Sequence, residues 1–216
     1  MEIELIQDTK LICVKYEISK KQLEYLKNKT NDILKNEKEH HEFNSNLAGN
    51  IEKEYKLKDD KNVLTPILSK LSNTYYENFD DKKYVKNLKW KIDGNMWVNF
   101  QKKYEYNPLH NHTGILSFVL WVQIPYDLEE ELSLPNCKKS NLPKNSLFEF
   151  ICTNYEGKIV SYPIQVDKTY EGTIIVFPST LNHIVYPFYT SDEYRISISG
   201  NLVPDFENNH LKYQYQ

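Results

Sequence analysis

The chain has 216 residues, 40% hydrophobic and 26% charged, and its 27 basic and 30 acidic side chains leave a net charge of -3. That length suits one large domain, and the near-balanced charge, with lysines spread among acidic residues, gives no footprint for nucleic acid. No apolar run approaches a membrane span, and Met1-Glu2-Ile3-Glu4 lacks the basic and apolar regions of a signal peptide. Cys13, Cys137 and Cys152 are odd in number and have no Cys-x-x-Cys spacing, which suits reduced thiols in a cytoplasmic protein rather than disulfides or a zinc site.

The first third reads as support. Ile3 to Ile6 and Leu11 to Tyr16 are β-prone. Ser19 is placed to cap a helix from about Lys20 to Lys38, with Leu23, Leu26, Ile33 and Leu34 on one stripe. His40-His41 follows in a charged loop; neighbouring rings diverge, so both are expected at the surface. Asn44 to Asn50 is a turn-rich connection. A second helix, about Thr65 to Phe79, carries Ile67, Leu68, Leu71 and Tyr75 on its apolar face and is closed by Asp80-Asp81-Lys82-Lys83. Nothing in this third looks chemical.

From Lys89 the pattern alternates. Trp90 to Ile92 and Met96 to Gln101 read as strands joined by a hairpin turn at Asp93-Gly94-Asn95. In the second strand Trp97, Asn99 and Gln101 share a face, which is either a polar pocket wall or an exposed edge. Asn107-Pro108 turns the chain away from helix, so His110 and His112 fall on one face and can share a metal ion. Ile115 to Pro125 is the most apolar strand. Asp127 to Asn145 is an acidic, proline-bearing loop, a lid or an insertion, where substrate contacts are expected. Leu147 to Cys152, Ile159 to Ile164, Gly172 to Pro178 and Tyr194 to Leu202 complete the strands. Short strands without intervening helices indicate an antiparallel sandwich or barrel. The expected organisation is a single mainly β domain with N-terminal helices: a support region over 1–88, a core over 89–204 and a tail over 205–216.

His183 follows the Gly172–Pro178 strand after a short bend. Arg195 lies in a strand whose neighbours are isoleucine, so its permanent charge needs either an internal carboxylate or a ligand carboxylate, with Ser197 on the same face.

Taken together, Trp97-Val-Asn-Phe-Gln, Asn107-Pro-Leu-His-Asn-His-Thr-Gly, Gly172-Thr-Ile-Ile-Val-Phe-Pro-Ser with His183, and Arg195-Ile-Ser-Ile-Ser-Gly-Asn resemble the Fe(II)/2-oxoglutarate oxygenases of the double-stranded β-helix superfamily. The resemblance covers roughly Trp90 to Leu202 and implies a jelly-roll, cupin-like core. It implies that His110, His112 and His183 ligate Fe(II), and that Arg195, with Ser197 and Asn99, binds the distal carboxylate of the cosubstrate 2-oxoglutarate. O2 would then be consumed to oxidise a C–H bond of a small molecule or protein residue. One departure stands out: the superfamily's usual triad has Asp or Glu where His112 stands. A water or a remote carboxylate such as Glu149 could complete the site instead. Two rivals remain: a cupin-type three-histidine dioxygenase using only O2, although no glutamate follows His-x-His at cupin spacing, and a non-catalytic β-sandwich binding module.

Overall fold

The computed structural model describes residues 3–8, 11–44, 48–79, 88–154 and 156–206. Residues 80–87, with the Asp80–Lys83 stop of the second helix, residues 45–47 of the turn-rich connection and the tail from 207 onward lie outside them.

Twelve strands and three helices follow one another among these residues. Strand β1 (Ile3–Asp8) pairs antiparallel with β2 (Leu11–Glu17). Helix α1 (Lys20–Lys35) begins at Ser19, whose hydroxyl accepts from Gln22 N while the Gln22 side chain reaches back to Ser19 N, a reciprocal cap. It stops three residues earlier than the periodicity suggests. Asn36 turns out of the helix at φ -121° and caps Asp32 O and Ile33 O. Strand β3 (Lys53–Leu57), which the sequence did not announce, precedes α2 (Thr65–Phe79). The Asp59 carboxylate takes up the orphan amides of Val63, Leu64 and Thr65 at the head of α2.

The remaining strands are β4 (Trp90–Ile92), β5 (Met96–Gln101), β6 (Asn107–His110), β7 (Leu116–Gln123), β8 (Phe148–Thr153), β9 (Ile159–Ile164), β10 (Thr173–Pro178), β11 (Asn182–Val185) and β12 (Arg195–Pro204). They form two antiparallel sheets. The larger runs β1-β2-β10-β7-β12-β5-β3, with β4 also on β12, and the smaller runs β6-β11-β8-β9. From β5 to β12 the chain therefore visits large, small, large, small, small, large, small and large sheet in turn.

Two cores explain why the central strands are apolar on both faces. On one side Leu26 and Ile33 of α1 and Leu64, Leu68 and Leu71 at α2 pack on Val98, Phe100, Phe118, Leu120, Val176 and Ile198. At about 2 kcal/mol per large apolar side chain buried, those five helix-side residues contribute on the order of 10 kcal/mol. That is as much as a whole domain's net stability, so the helices are integral to the fold. On the other side Val119, Trp121, Ile175 and Phe177 of the large sheet meet Phe148 and Phe150 of the small one.

One expectation needs correction, and two open alternatives are decided. Asp93–Asn95 is no hairpin turn. Both β4 and β5 run antiparallel to the same strand, β12, with Ile92 opposite Leu202 and Trp97 opposite Ser199. The segment is an outward bulge in one long ladder, with Gly94 at φ 71° and Asp93 N bonded to Asn201 O at 2.8 Å. Strand β5 is not an exposed edge either, since β3 covers it. Finally, Asp127–Asn145 is no loose lid. It contains α3 (Leu128–Ser133), whose buried Glu131 accepts from Tyr189 N, Thr190 N and Thr190 Oγ1 at 2.7–2.8 Å, while Asn145 Nδ2 donates to Glu131 O.

Candidate metal centre

His110 ends β6 and His183 lies in β11, and the two are direct partners in the β6–β11 ladder. Their ring centroids are 4.2 Å apart. His112 lies two residues beyond β6. Its amide donates to Ser179 O at 2.8 Å, which bends the chain back so that its ring lies 5.0 Å from each of the other two. One potential ligand atom from each of the three residues lies within 4.8 Å of the others. Asn111 Nδ2 donates to Asn182 Oδ1 at 3.0 Å, fastening the two histidine-bearing segments together.

The imidazoles are held neutral. Burial lowers the pKa of each: His110 against the opposing effect of Pro108 O, His112 to about 4 with help from His110, and His183 well below its ordinary value with help from both neighbours. His183 is also walled by Phe148, Phe177 and Phe150, with centroids at 5.4, 5.1 and 6.1 Å. Nδ1 of His110 bonds Pro108 O at 2.6 Å and Nδ1 of His183 bonds Leu181 O at 3.0 Å. As donors at Nδ1, both rings keep a lone pair on Nε2, the arrangement that orients metal-ligating histidines. The donor set thus fits a divalent transition metal.

Glu149 does not complete the set. It opposes Ile184 in the β8–β11 ladder, one residue off His183 and so on the other face, where Lys144 and the Tyr186 hydroxyl engage its carboxylate. His40 and His41 stand apart from the cluster.

The histidines border a cavity of about 180 Å³ whose lining also includes Trp97, Asn99, Gln101, Trp121, Arg195 and Ser197. The β5–β12 register explains the polar wall: Arg195 opposes Gln101, Ser197 opposes Asn99 and Ser199 opposes Trp97. Opposed residues share a face, so the alternation legible in each strand becomes one surface. Asn99 Nδ2 and Ser197 Oγ are 3.4 Å apart.

Arg195 is 3% exposed, and every acceptor around it is uncharged. Nε and Nη2 donate to Gln101 Oε1, Nη1 to the Tyr126 hydroxyl and Ser146 O, and Nη2 also to Tyr186 O, at 2.7–3.1 Å. Among the described residues no internal carboxylate bonds it, and none of them neutralises the charge it turns toward the cavity. Sequence reasoning placed Gln101 on the right face but missed it as the partner of Arg195. It missed Tyr126 entirely, because a tyrosine after a strand carries no spacing signal. It also took the first third for inert, yet Ala48 and Ile51 line the cavity. No residue of the 127–145 segment does among those described.

Comparison with known proteins bears on this arrangement. Residues 95–201 match the family model described as "Putative 2OG-Fe(II) oxygenase". No curated protein matches the sequence. A prolyl-4-hydroxylase from Pseudomonas putida shares the fold at TM-score 0.54 and 9% identity, over 87% of this chain and 90% of that one. Two others resemble it more loosely. HygX from Streptomyces hygroscopicus, with nickel and 2-oxoglutarate bound, has TM-score 0.46 and 9% identity over 92% and 85% of the chains. A 2OG-Fe(II) oxygenase family oxidoreductase from Burkholderia pseudomallei has TM-score 0.42 and 10% identity over 94% and 73%. The segment 95–201, just under half of the chain, carries the three histidines and Arg195 and matches the family of the 2OG-Fe(II) oxygenases, which are oxidoreductases that use Fe(II), 2-oxoglutarate and O2.

Proposed function

We propose that this chain is a 2-oxoglutarate-dependent hydroxylase in which His110, His112 and His183 hold Fe(II) and Arg195 binds the distal carboxylate of 2-oxoglutarate. The observation that carries the reading is a neutral three-imidazole cluster and a buried, uncompensated guanidinium on the wall of one cavity. The alternation of the chain between two sheets from β5 to β12 supports a double-stranded β-helix core, and residues 1–88 and 89–204 act as support and catalytic portions of one domain.

Bound Fe(II) would supply open coordination positions and the redox chemistry that couples O2 and 2-oxoglutarate to C–H oxidation. The protein's residues do the rest. Pro108 O and Leu181 O fix the tautomers of His110 and His183, so both present Nε2. Gln101 Oε1 occupies the fork of Arg195 that a carboxylate takes bidentately, and yields it to the cosubstrate. Asn99 and Ser197 offer an amide and a hydroxyl beside it. Trp121, Phe148 and Phe177 keep bulk water from the reacting centre. With an imidazole in place of a carboxylate, the site carries one more unit of positive charge, which favours the anionic cosubstrate.

Anaerobic titration tests this. Fe(II) followed by 2-oxoglutarate should produce a weak visible charge-transfer band, which Arg195→Ala should abolish at the same cosubstrate concentration. Fe(II) binding without any response to 2-oxoglutarate would favour the O2-only three-histidine dioxygenase, which His112 makes the second reading. No divalent metal bound at all would sink both.

A further inference from the structure

One corner of the cavity is short of hydrogen-bond donors. Strand β3 lies beside β5 with Glu54 directly opposite Asn99, so the Glu54 carboxyl points to the cavity side of the sheet, as Asn99 does. Glu54 is fully buried, and neither of its oxygens has a hydrogen-bond partner. The same holds for Oδ1 of Asn99 and Oδ1 of Asn107. The three side chains converge. A Cβ on Gly49 would fall 1.9 Å from Asn107 Oδ1 and 3.4 Å from Glu54 Oε1, so both side chains reach the bare face of Gly49. Asn50 N bonds Tyr106 O at 2.8 Å and holds that segment down over the corner. Glu54 lies just behind the cavity shared with the histidines: its neighbours Asn99 and Asn107 line that cavity, as do Ala48 and Ile51 on either side of the Gly49–Asn50 step.

Buried polar atoms are nearly always paired, so a cluster of orphans marks a missing partner. All of these are oxygens, and the single proton that Glu54 keeps in the empty site can serve only one of them, so the corner remains short of donors. We infer that the corner is a substrate subsite for a protonated amine, whose ammonium hydrogens reach Asn99, Asn107 and Glu54 and thereby orient an amine-bearing substrate toward the histidine cluster. Three acceptor groups match the three hydrogens of an ammonium. Without a ligand, burial, and after it the charge of nearby Glu105, push the Glu54 carboxyl up to about 8. The arriving cation would expel that proton. The term substrate rests on the oxygenase reading above; the amine subsite itself does not.

The test uses the full chain without metal and n-propylammonium chloride as probe. Calorimetry at pH 7 in two buffers of different ionisation enthalpy should show binding with release of nearly one proton, and no binding of 1-propanol. Glu54→Gln should weaken the probe at least about tenfold, the worth of one charge-assisted hydrogen bond, and abolish proton release. The Fe(II)–2-oxoglutarate band in the same variant, unchanged, would show that the cavity still folds. The inference is overturned if wild type ignores propylammonium, if Glu54→Gln binds it equally, or if magnesium chloride alone releases the proton. A missing band in wild type would sink the oxygenase reading but leave the amine titration to decide the subsite. With iron and 2-oxoglutarate present, amine-bearing compounds should stimulate succinate formation and their N-acetylated forms should not; equal stimulation by both would also overturn it.

Discussion

His110 and His183 face each other across the β6–β11 ladder with ring centroids 4.2 Å apart, and each is bonded through Nδ1 to a carbonyl two residues back in its own segment. The same local turn thus aims two rings from distant parts of the chain into one space. Replacing either by alanine should lower Fe(II) or Mn(II) affinity by roughly a hundredfold or more, on the scale of losing an oriented metal ligand. Equilibrium dialysis checks this.

The third position can be separated from the other two. His112→Asp restores the carboxylate usual in such triads and should keep metal binding, whereas His112→Ala should lose it along with most turnover. If both variants behave like wild type in metal titration and succinate formation, His112 is not a ligand.

Arg195 holds five hydrogen bonds to neutral acceptors and is almost fully buried. Arg195→Ala should destabilise the fold by about 3 kcal/mol, because Gln101, Tyr126 and two carbonyls lose their donor. It should also raise KM for 2-oxoglutarate about a hundredfold while leaving metal affinity intact. Arg195→Lys should keep part of the stability but little of the cosubstrate affinity, since an ammonium cannot form the fork. Denaturation curves and steady-state kinetics separate the two effects.

Glu131 ties the 127–145 segment to Tyr189 and Thr190. Glu131→Ala should cost roughly 2–4 kcal/mol by stranding three donors. Deleting the segment should therefore lower stability, and not merely uncouple succinate formation from substrate. Chemical denaturation of the metal-free protein is the check.

The Glu54 carboxyl sets a pH signature. In the folded chain it keeps its proton up to about pH 8, whereas an unfolded glutamate ionises near 4.5. Between those values the folded state binds more protons, so its stability falls as pH rises; below 4.5 the contribution is whole. The loss across that window is on the order of 4 kcal/mol for the empty site. Glu54→Gln should flatten it. Urea midpoints from pH 4.5 to 8.5 in both proteins decide the point.

Much of the architecture was legible in the chain because burial leaves a period. The 3.6-residue stripe through Leu26 and Ile33, the cap at Ser19 and the alternation of Arg195, Ser197 and Ser199 with isoleucine each report a local environment. The His-x-His spacing was readable for the same reason, since two residues in extended chain share a face. The bulge at Asp93–Asn95 was misread because a Gly-containing triplet between strands looks the same whether the chain folds back on itself or continues along a third strand. Only β12 decides that.

What the sequence determined by itself was the set of elements and the chemical types on each face: imidazoles after Pro108, a guanidinium among isoleucines, amides beside Trp97. Tertiary structure decided which faces meet. It paired His110 with His183, placed Gln101 rather than a carboxylate on Arg195, turned Glu149 away from the histidines and brought Glu54 beside Asn99. Those outcomes depend on ladder register, and register is set by packing in two cores that draw on strands far apart in sequence, where no local pattern can report it.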